Sequence, residues 1–154
     1  MDKDFPKVGI GVWIFNSQGQ VLMMKRQGSH GAGTWAPPGG NLEMGESFLD
    51  CAKREVKEET DLDIDGIEVI AVTNDVFDQD KHYVTPLVKV ASWQGEAKIM
   101  EPNKCTEIGW YDFHNLPKPL FLTIEHMFEA KDFKCLCGSG KSFKNCPNKG
   151  MNLH

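Results

Sequence analysis

No apolar run in the 154-residue sequence approaches the ~18 residues that a membrane-spanning helix needs, so no membrane partner is expected. The first residues, Met1-Asp2-Lys3-Asp4-Phe5, carry neither the basic start nor the apolar stretch of an export signal. The five cysteines are few, odd in number and unevenly spread, which argues against a disulfide framework and points to a reduced, cytoplasmic setting. No internal repeat is visible. Gly138-Ser139-Gly140-Lys141 is not a P-loop, because the four-residue spacing ahead of a Gly-Lys-Ser/Thr ending is missing.

What remains is ordinary in bulk: 40% hydrophobic and 25% charged residues, in a length that suits one core-bearing domain with a short appendage. The charge is informative through its placement. With 17 Lys+Arg against 22 Asp+Glu, the net charge is −5. Yet Glu43 to Asp65 alone holds nine acids and three bases, whereas Lys131 to His154 holds five lysines and one acid. A carboxylate cluster repels itself unless it is solvated or bridged by cations. After Phe133 the chain changes character, to small, basic and Cys/Gly-bearing residues, so a boundary is placed near Lys131: residues 1–130 as the main domain, 131–154 as a tail that Cys135, Cys137 and Cys146 make SEC-C-like.

The local patterns predict a hairpin from Val8–Phe15 and Gln20–Arg26 around the turn Asn16-Ser17-Gln18-Gly19. Gly28 to Gly40, with five glycines and two prolines, reads as loop or as short strand framed by loops. Ser47 to Thr60 has helical apolar spacing at Phe48, Leu49, Ala52 and Val56, with Glu46 and Asp50 near its start, as the helix dipole prefers. Gly66–Phe77 and His82–Trp93 read as strands, Ile108–Phe113 as another, and Phe121–Ala130 as a final amphipathic helix. Strands with two helices separated along the chain predict an α+β fold, layered with helices on either side of a mixed sheet.

Glu55, Glu58 and Glu59 stand at i, i+3 and i+4, which sets all three carboxylates on one helix face. Unbridged, such a trio costs helix stability. A hard divalent cation reverses the sign, because magnesium and manganese prefer oxygen ligands and commonly join carboxylates to substrate phosphates. Arg54 beside the trio can hold a carboxylate in a bidentate pair, and Gly39-Gly40 lets backbone approach the same ion. These groups suit metal-assisted attack of water on a phosphoanhydride.

Gly40, five residues, Glu46, seven residues, Arg54-Glu55-Val56-Lys57-Glu58-Glu59, two residues, then Leu62 resembles the signature box of the nudix hydrolases. One position departs: Asp61 replaces the usual glycine at the helix C-terminus, where Asp tolerates left-handed geometry better than most residues. The resemblance implies a nudix fold, with Glu55 and Glu59 as main metal ligands, Glu58 assisting, and all three in the catalytic group. It also implies the Gly39 carbonyl as a further metal ligand and structural roles for Arg54, Gly40 and Glu46. Beyond the box, the runs VGIGVWIF, KRQGSHGAGTWAPPGGNLEMGES, HYVTPLVK and EPNKC resemble the MutT-like subfamily of nucleoside triphosphate diphosphatases that act on thiopurine nucleotides. That resemblance covers about Lys7 to Ala130 and implies release of pyrophosphate from a nucleoside triphosphate, purine favoured. The stretch Thr73 to Lys81 carries none of the proline, tyrosine or Ser-Gln-Pro-Trp-like markers of the nudix enzymes for other substrates.

Five further residues are candidates for substrate contact. Arg26 can meet a phosphate or be a solvated strand-end cation. Trp35 can stack on a base or cap the core. His82 and Tyr83 fall where the resemblance borders the nucleotide pocket, and Glu107 falls where some relatives place a further metal ligand or base. His30, in the Gly-rich loop, is a weaker candidate for substrate contact, since exposed loop histidines usually have no such role, and Cys51 and Cys105 read as small buried residues. In the tail, Cys135-Leu136-Cys137, eight residues, then Cys146 resembles the SEC-C zinc motif, with Pro147 in place of the fourth ligand, so that His154 or another residue would complete a zinc shell.

The reading is therefore a magnesium- or manganese-dependent nudix pyrophosphohydrolase with a nucleotide partner and, in the tail, an SEC-C-like zinc site. No stable nucleic-acid binding is expected, and a homodimer is compatible with it. The alternatives are hydrolysis of nucleoside diphosphate-linked compounds such as ADP-ribose or nucleotide sugars, and a binding module tethered by the tail.

Overall fold

The computed structural model describes residues 5–28, 30–130, 133–134 and 141. In chain order the elements are β1 (Lys7–Trp13), β2 (Gln20–Arg26), β3 (Trp35–Ala36), β4 (Gly39–Asn41), α1 (Phe48–Thr60), β5 (Asp63–Asp78), β6 (Lys81–Gln94), β7 (Cys105–Asp112) and α2 (Leu122–Glu129). Four strands form a mixed sheet in the order β4-β1-β6-β5, and three form a second, antiparallel sheet, β3-β2-β7. The expected α+β layering holds. Among the described residues, no helix is long and apolar enough to cross a membrane.

The mixed sheet is the middle layer because β1 is apolar on both sides. Ile10 and Val12 turn to one face and pack with Cys51, Ala52 and Val56 of α1. Trp13 turns to the other and packs with Leu87, Phe113, Ile124 and Met127, beneath α2. Such two-sided burial is what a parallel neighbour requires, and β1 does pair in parallel with β6, Val8 opposite Val84 and Val12 opposite Val88. On its other side β1 pairs antiparallel with β4, Gly11 opposite Gly39.

One expectation needs correction. The first hairpin is not closed by strand pairing between β1 and β2. The two strands lie in different sheets; the turn between them is closed past the end of β1 by a single bridge, Phe15 opposite Val21, with the Asn16 N–H donating to the Gln20 carbonyl and the Leu22 N–H to the Ile14 carbonyl. The Gly- and Pro-rich segment is loop with two short strands in it, β3 and β4. Phe133, just past the boundary placed near Lys131, is 3% exposed and packs in the core under α2, its ring 5.8 Å from that of Phe128. Cys51 and Cys105 are buried and free, as expected of them. The tail positions Cys135, Cys137, Cys146, Pro147 and His154, and any zinc site they form, lie outside the described residues.

Candidate active site

Helix α1 starts on Ser47, whose hydroxyl accepts from the Asp50 N–H at 3.0 Å, and ends on Asp61 with φ 65° and ψ 11°. That left-handed residue stops the helix where the usual glycine would, and its N–H donates to the Lys57 carbonyl. Between the caps, Cys51, Ala52, Val56 and Thr60 bury one face. Glu55, Glu58 and Glu59 are left on another, lining a cleft of about 710 Å³.

Arg54 organises the acidic end. Its Nε and Nη2 donate to the two oxygens of Glu46 at 2.7 and 2.8 Å, a bidentate pair. Nη1 donates to Glu55 at 2.8 Å and to Glu58 at 3.5 Å, and Nη2 also donates to the Asn41 carbonyl at 2.9 Å. The guanidinium holds the Glu46 carboxyl down at about 2, helped by the Glu43 N–H, which donates to Glu46 at 2.8 Å. Arg54 in turn is raised, chiefly through Glu46. Arg54 and Glu46 thus act as a brace, tying the loop before α1 to the helix and aiming Glu55.

The two glycines ahead of the helix serve close approach rather than unusual backbone geometry. A Cβ on Gly40 would stand 2.2 Å from the Glu55 carboxyl carbon, and one on Gly39 would stand 2.0 Å from the Ile10 carbonyl oxygen. The Gly39 N–H donates to Glu59 at 3.2 Å. Burial, despite that hydrogen bond, pushes Glu59 up to about 8, with Glu55 and Glu101 adding repulsion and Arg26 opposing it. Burial also raises Glu55, against the pull of Arg54.

Among the described residues, no group of three or more His, Cys, Asp or Glu side chains is already gathered as a metal cage. Glu55 is turned to Arg54 and Glu59 to Gly39. The donor chemistry nevertheless fits a hard divalent cation: Glu55, Glu58, Glu59 and Glu101 present only oxygen to one cleft, and the repulsion felt by Glu59 is the kind such an ion relieves.

The other end of the cleft is aromatic. His30 meets Phe77 and Phe121 edge-on, with ring centroids 4.5 and 5.3 Å apart, and stacks with Tyr83 at 6.0 Å. Phe77 and Phe121 stack at 5.4 Å. Arg26 lies over the Phe121 ring, 4.1 Å from its centroid, and its Nε donates to the His30 carbonyl at 3.2 Å. Burial lowers Arg26, while Glu59 and Tyr83 both raise it, which puts this cation electrostatically between the two ends.

Of the predicted substrate contacts, Arg26 and Tyr83 line the cleft, as do Gly39 and Gly40. Three do not. Trp35 is 5% exposed and packed edge-on against Tyr111, so it is core. His82 sits near the hairpin tip, bonded to Asn74. Glu107 is turned outward on β7, 57% exposed, with Lys25 3.7 Å away. The carboxylate that does enter from that region is Glu101, ion-paired with Lys104 at 3.4 Å; both line the cleft. His30, only a weaker candidate from the sequence, forms part of the wall, and sequence reasoning missed Phe77 and Phe121 altogether. The only signal for Glu101 was its place at the head of EPNKC.

Comparison with known proteins points one way. A family model described as NUDIX domain matches residues 5–130. The 8-oxo-dGDP phosphatase NUDT18 of Danio rerio is 38% identical over 140 residues, 90% of this chain and 39% of that protein. The ADP-ribose pyrophosphatase of Methanocaldococcus jannaschii is 30% identical over 122 residues, 78% of this chain and 69% of that one. Among solved structures, the MutT NUDIX hydrolase from Burkholderia pseudomallei superposes with a TM-score of 0.73 at 28% identity, covering 79% of this chain and 95% of that one. The chain spans 22% and 42% of the lengths of the first curated relatives it matches.

Proposed function

The chain belongs to the nudix family, and on that premise we propose that it is a magnesium- or manganese-dependent pyrophosphohydrolase of nucleoside triphosphates, purines favoured. Water adds at a phosphorus of the triphosphate chain, the phosphoanhydride bond breaks, and a nucleoside monophosphate and pyrophosphate leave. The observation that carries this reading is a cleft with two chemically opposite ends. Carboxylates crowd one end, aromatic rings wall the other, and Arg26 lies between them.

Glu55, Glu58 and Glu59 would hold the metal, which supplies charge neutralisation of phosphate oxygens and activation of water. Arg54 keeps Glu55 and Glu58 aimed, and the bidentate Glu46 pair keeps Arg54 in place. Arg26 orients the phosphate chain, and its stacked position on Phe121 leaves the guanidinium edge free to meet oxyanions. The base lies against His30, Phe77, Tyr83 and Phe121 by stacking, which suits any planar heterocycle and favours the larger purine surface. Glu101, outside the helix, is the further carboxylate placed to take a proton from water.

The names of two relatives favour a second reading. One is called an 8-oxo-dGDP phosphatase and the other an ADP-ribose pyrophosphatase, so a purine nucleoside diphosphate or its conjugate is the competing substrate class. A panel of nucleoside tri- and diphosphates and ADP-ribose, assayed with magnesium for pyrophosphate, phosphate and nucleotide, separates the two. Pyrophosphate with a nucleoside monophosphate in one step is expected. Orthophosphate appearing first with a nucleoside diphosphate, or a tenfold preference for ADP-ribose, would overturn the triphosphate reading.

A further inference from the structure

The buried carboxylate of Asp75 has no part in the chemistry above, yet three groups from two elements converge on it. It lies on β5, fully buried, on the sheet face turned to α2. One oxygen accepts from the Thr73 hydroxyl at 2.8 Å and from the Thr123 hydroxyl at 3.0 Å. The other is paired with Nδ1 of His126. Thr123 and His126 are three apart and so share one face of α2. A buried carboxylate is costly, and an apolar side chain would fill the same space, so what the ionic group contributes is a fixed register. The helix needs one. It has eight residues and its N-cap residue Phe121 makes no side-chain cap; a backbone bond from the Phe121 N–H to the Trp35 carbonyl at 2.9 Å fixes only its first residue, and beyond that the helix is held by non-directional packing of Ile124, Met127 and Phe128.

The consequence reaches the cleft through Phe121. That ring starts the helix, stacks on Phe77, carries Arg26 above it and forms the aromatic wall. We propose that Asp75 is a positioning residue: by clamping Thr123 and His126 it sets the register of α2 on the sheet and so holds Phe121 at the distance a planar base requires. This rests on the reading of the aromatic end as the base subsite. Asp75 touches no substrate. Its loss is expected to appear in substrate affinity and helix mobility, and not in the chemical step.

The test uses the full chain and four variants. Asp75→Asn keeps the shape and removes the charge, His126→Leu removes the donor, and His126→Asn keeps a donor near the Nδ1 position. Phe121→Ala tests the subsite itself. For Asp75→Asn and His126→Leu, backbone amides of Leu122–Glu129 are expected to exchange hydrogen at least tenfold faster, with those of α1 unchanged. KM for a purine nucleoside triphosphate should rise at least fivefold with kcat within twofold, KM for inorganic tripolyphosphate should not move, and His126→Asn should restore wild-type values. Unchanged exchange and KM in both Asp75→Asn and His126→Leu overturn the proposal. If they are silent while Phe121→Ala raises KM, the subsite reading stands and only the clamp fails. If Phe121→Ala leaves KM unchanged while α2 loosens in Asp75→Asn, the subsite reading fails, and with it the link from Asp75 to substrate affinity.

Discussion

Replacing Glu59 by Gln should make the metal-free protein more stable while destroying its activity. In the fold the carboxyl is pushed up to about 8, foremost by burial, from an ordinary value of 4.5. A raised acid binds its proton more tightly folded than unfolded. The metal-free protein is therefore unpenalised below about pH 4.5 and loses stability as pH climbs from there towards 8. At roughly 1.4 kcal/mol per pH unit, the ceiling on the loss at pH 7 is about 3 kcal/mol. Water in the open cleft screens part of it, so about 1–3 kcal/mol is expected. The amide of Gln keeps an oxygen to accept from the Gly39 N–H and adds no charge beside Glu55 and Glu101. In EDTA at pH 7, thermal unfolding of Glu59→Gln should therefore lie about 3–10 °C above wild type, and the gap should narrow as pH falls and close below about pH 4.5. Adding magnesium should raise the wild type and move the variant little, because only the former gains binding free energy on folding. Turnover should fall below a tenth of wild type. A midpoint equal to or below wild type at pH 7, or a gap that does not vary with pH, refutes the argument.

The two adjacent glycines should fail differently. Gly40→Ala drives into the far end of the flexible Glu55 side chain, so at least a tenfold loss of kcat is expected with unfolding nearly unchanged. Gly39→Ala meets the Ile10 backbone carbonyl and should cost about 1–3 kcal/mol in urea unfolding. Glu101→Gln should lower kcat, whereas Glu107→Gln, outside the cleft, should leave it within twofold in the same assay. Truncation after Ala130 strips Phe133 from the core and should cost about 2–3 kcal/mol; truncation after Lys134 should cost far less.

The acidic half of the site was readable because a helix converts sequence spacing directly into geometry: i, i+3 and i+4 must share a face, whatever the rest of the chain does. Asp61 as the helix stop followed from its tolerance of left-handed backbone in the same local way. The aromatic half was legible only at Tyr83, and there through a resemblance. His30, Phe77, Tyr83 and Phe121 come from a loop, two strands and a helix start, and only tertiary packing brings them together. Glu107 and Glu101 illustrate the same limit. Which of them enters the cleft depends on the register of β7 against β2, where Lys25 faces Glu107 and the pairing shifts before Arg26. Trp35 was open to two readings, and burial against Tyr111 decided for the core. Asp75 gave no signal at all, since an acid in a β-branched run looks like a solvent-facing position until a helix is laid over it.

The parallel pairing of β1 with β6 has a consequence for how the chain acquires its shape during synthesis. Lys7 aligns with Tyr83 and Trp13 with Lys89, so the central pair cannot close until almost everything between has left the ribosome. Contacts this distant along the chain are slow to form, because a long loop must be ordered before any of them is made. Until then α1 is a 13-residue segment with a row of like charges and no sheet to lie on, too short to persist as a helix in water. A nascent chain arrested ahead of β6 is thus expected to carry the whole signature box and yet have no cleft.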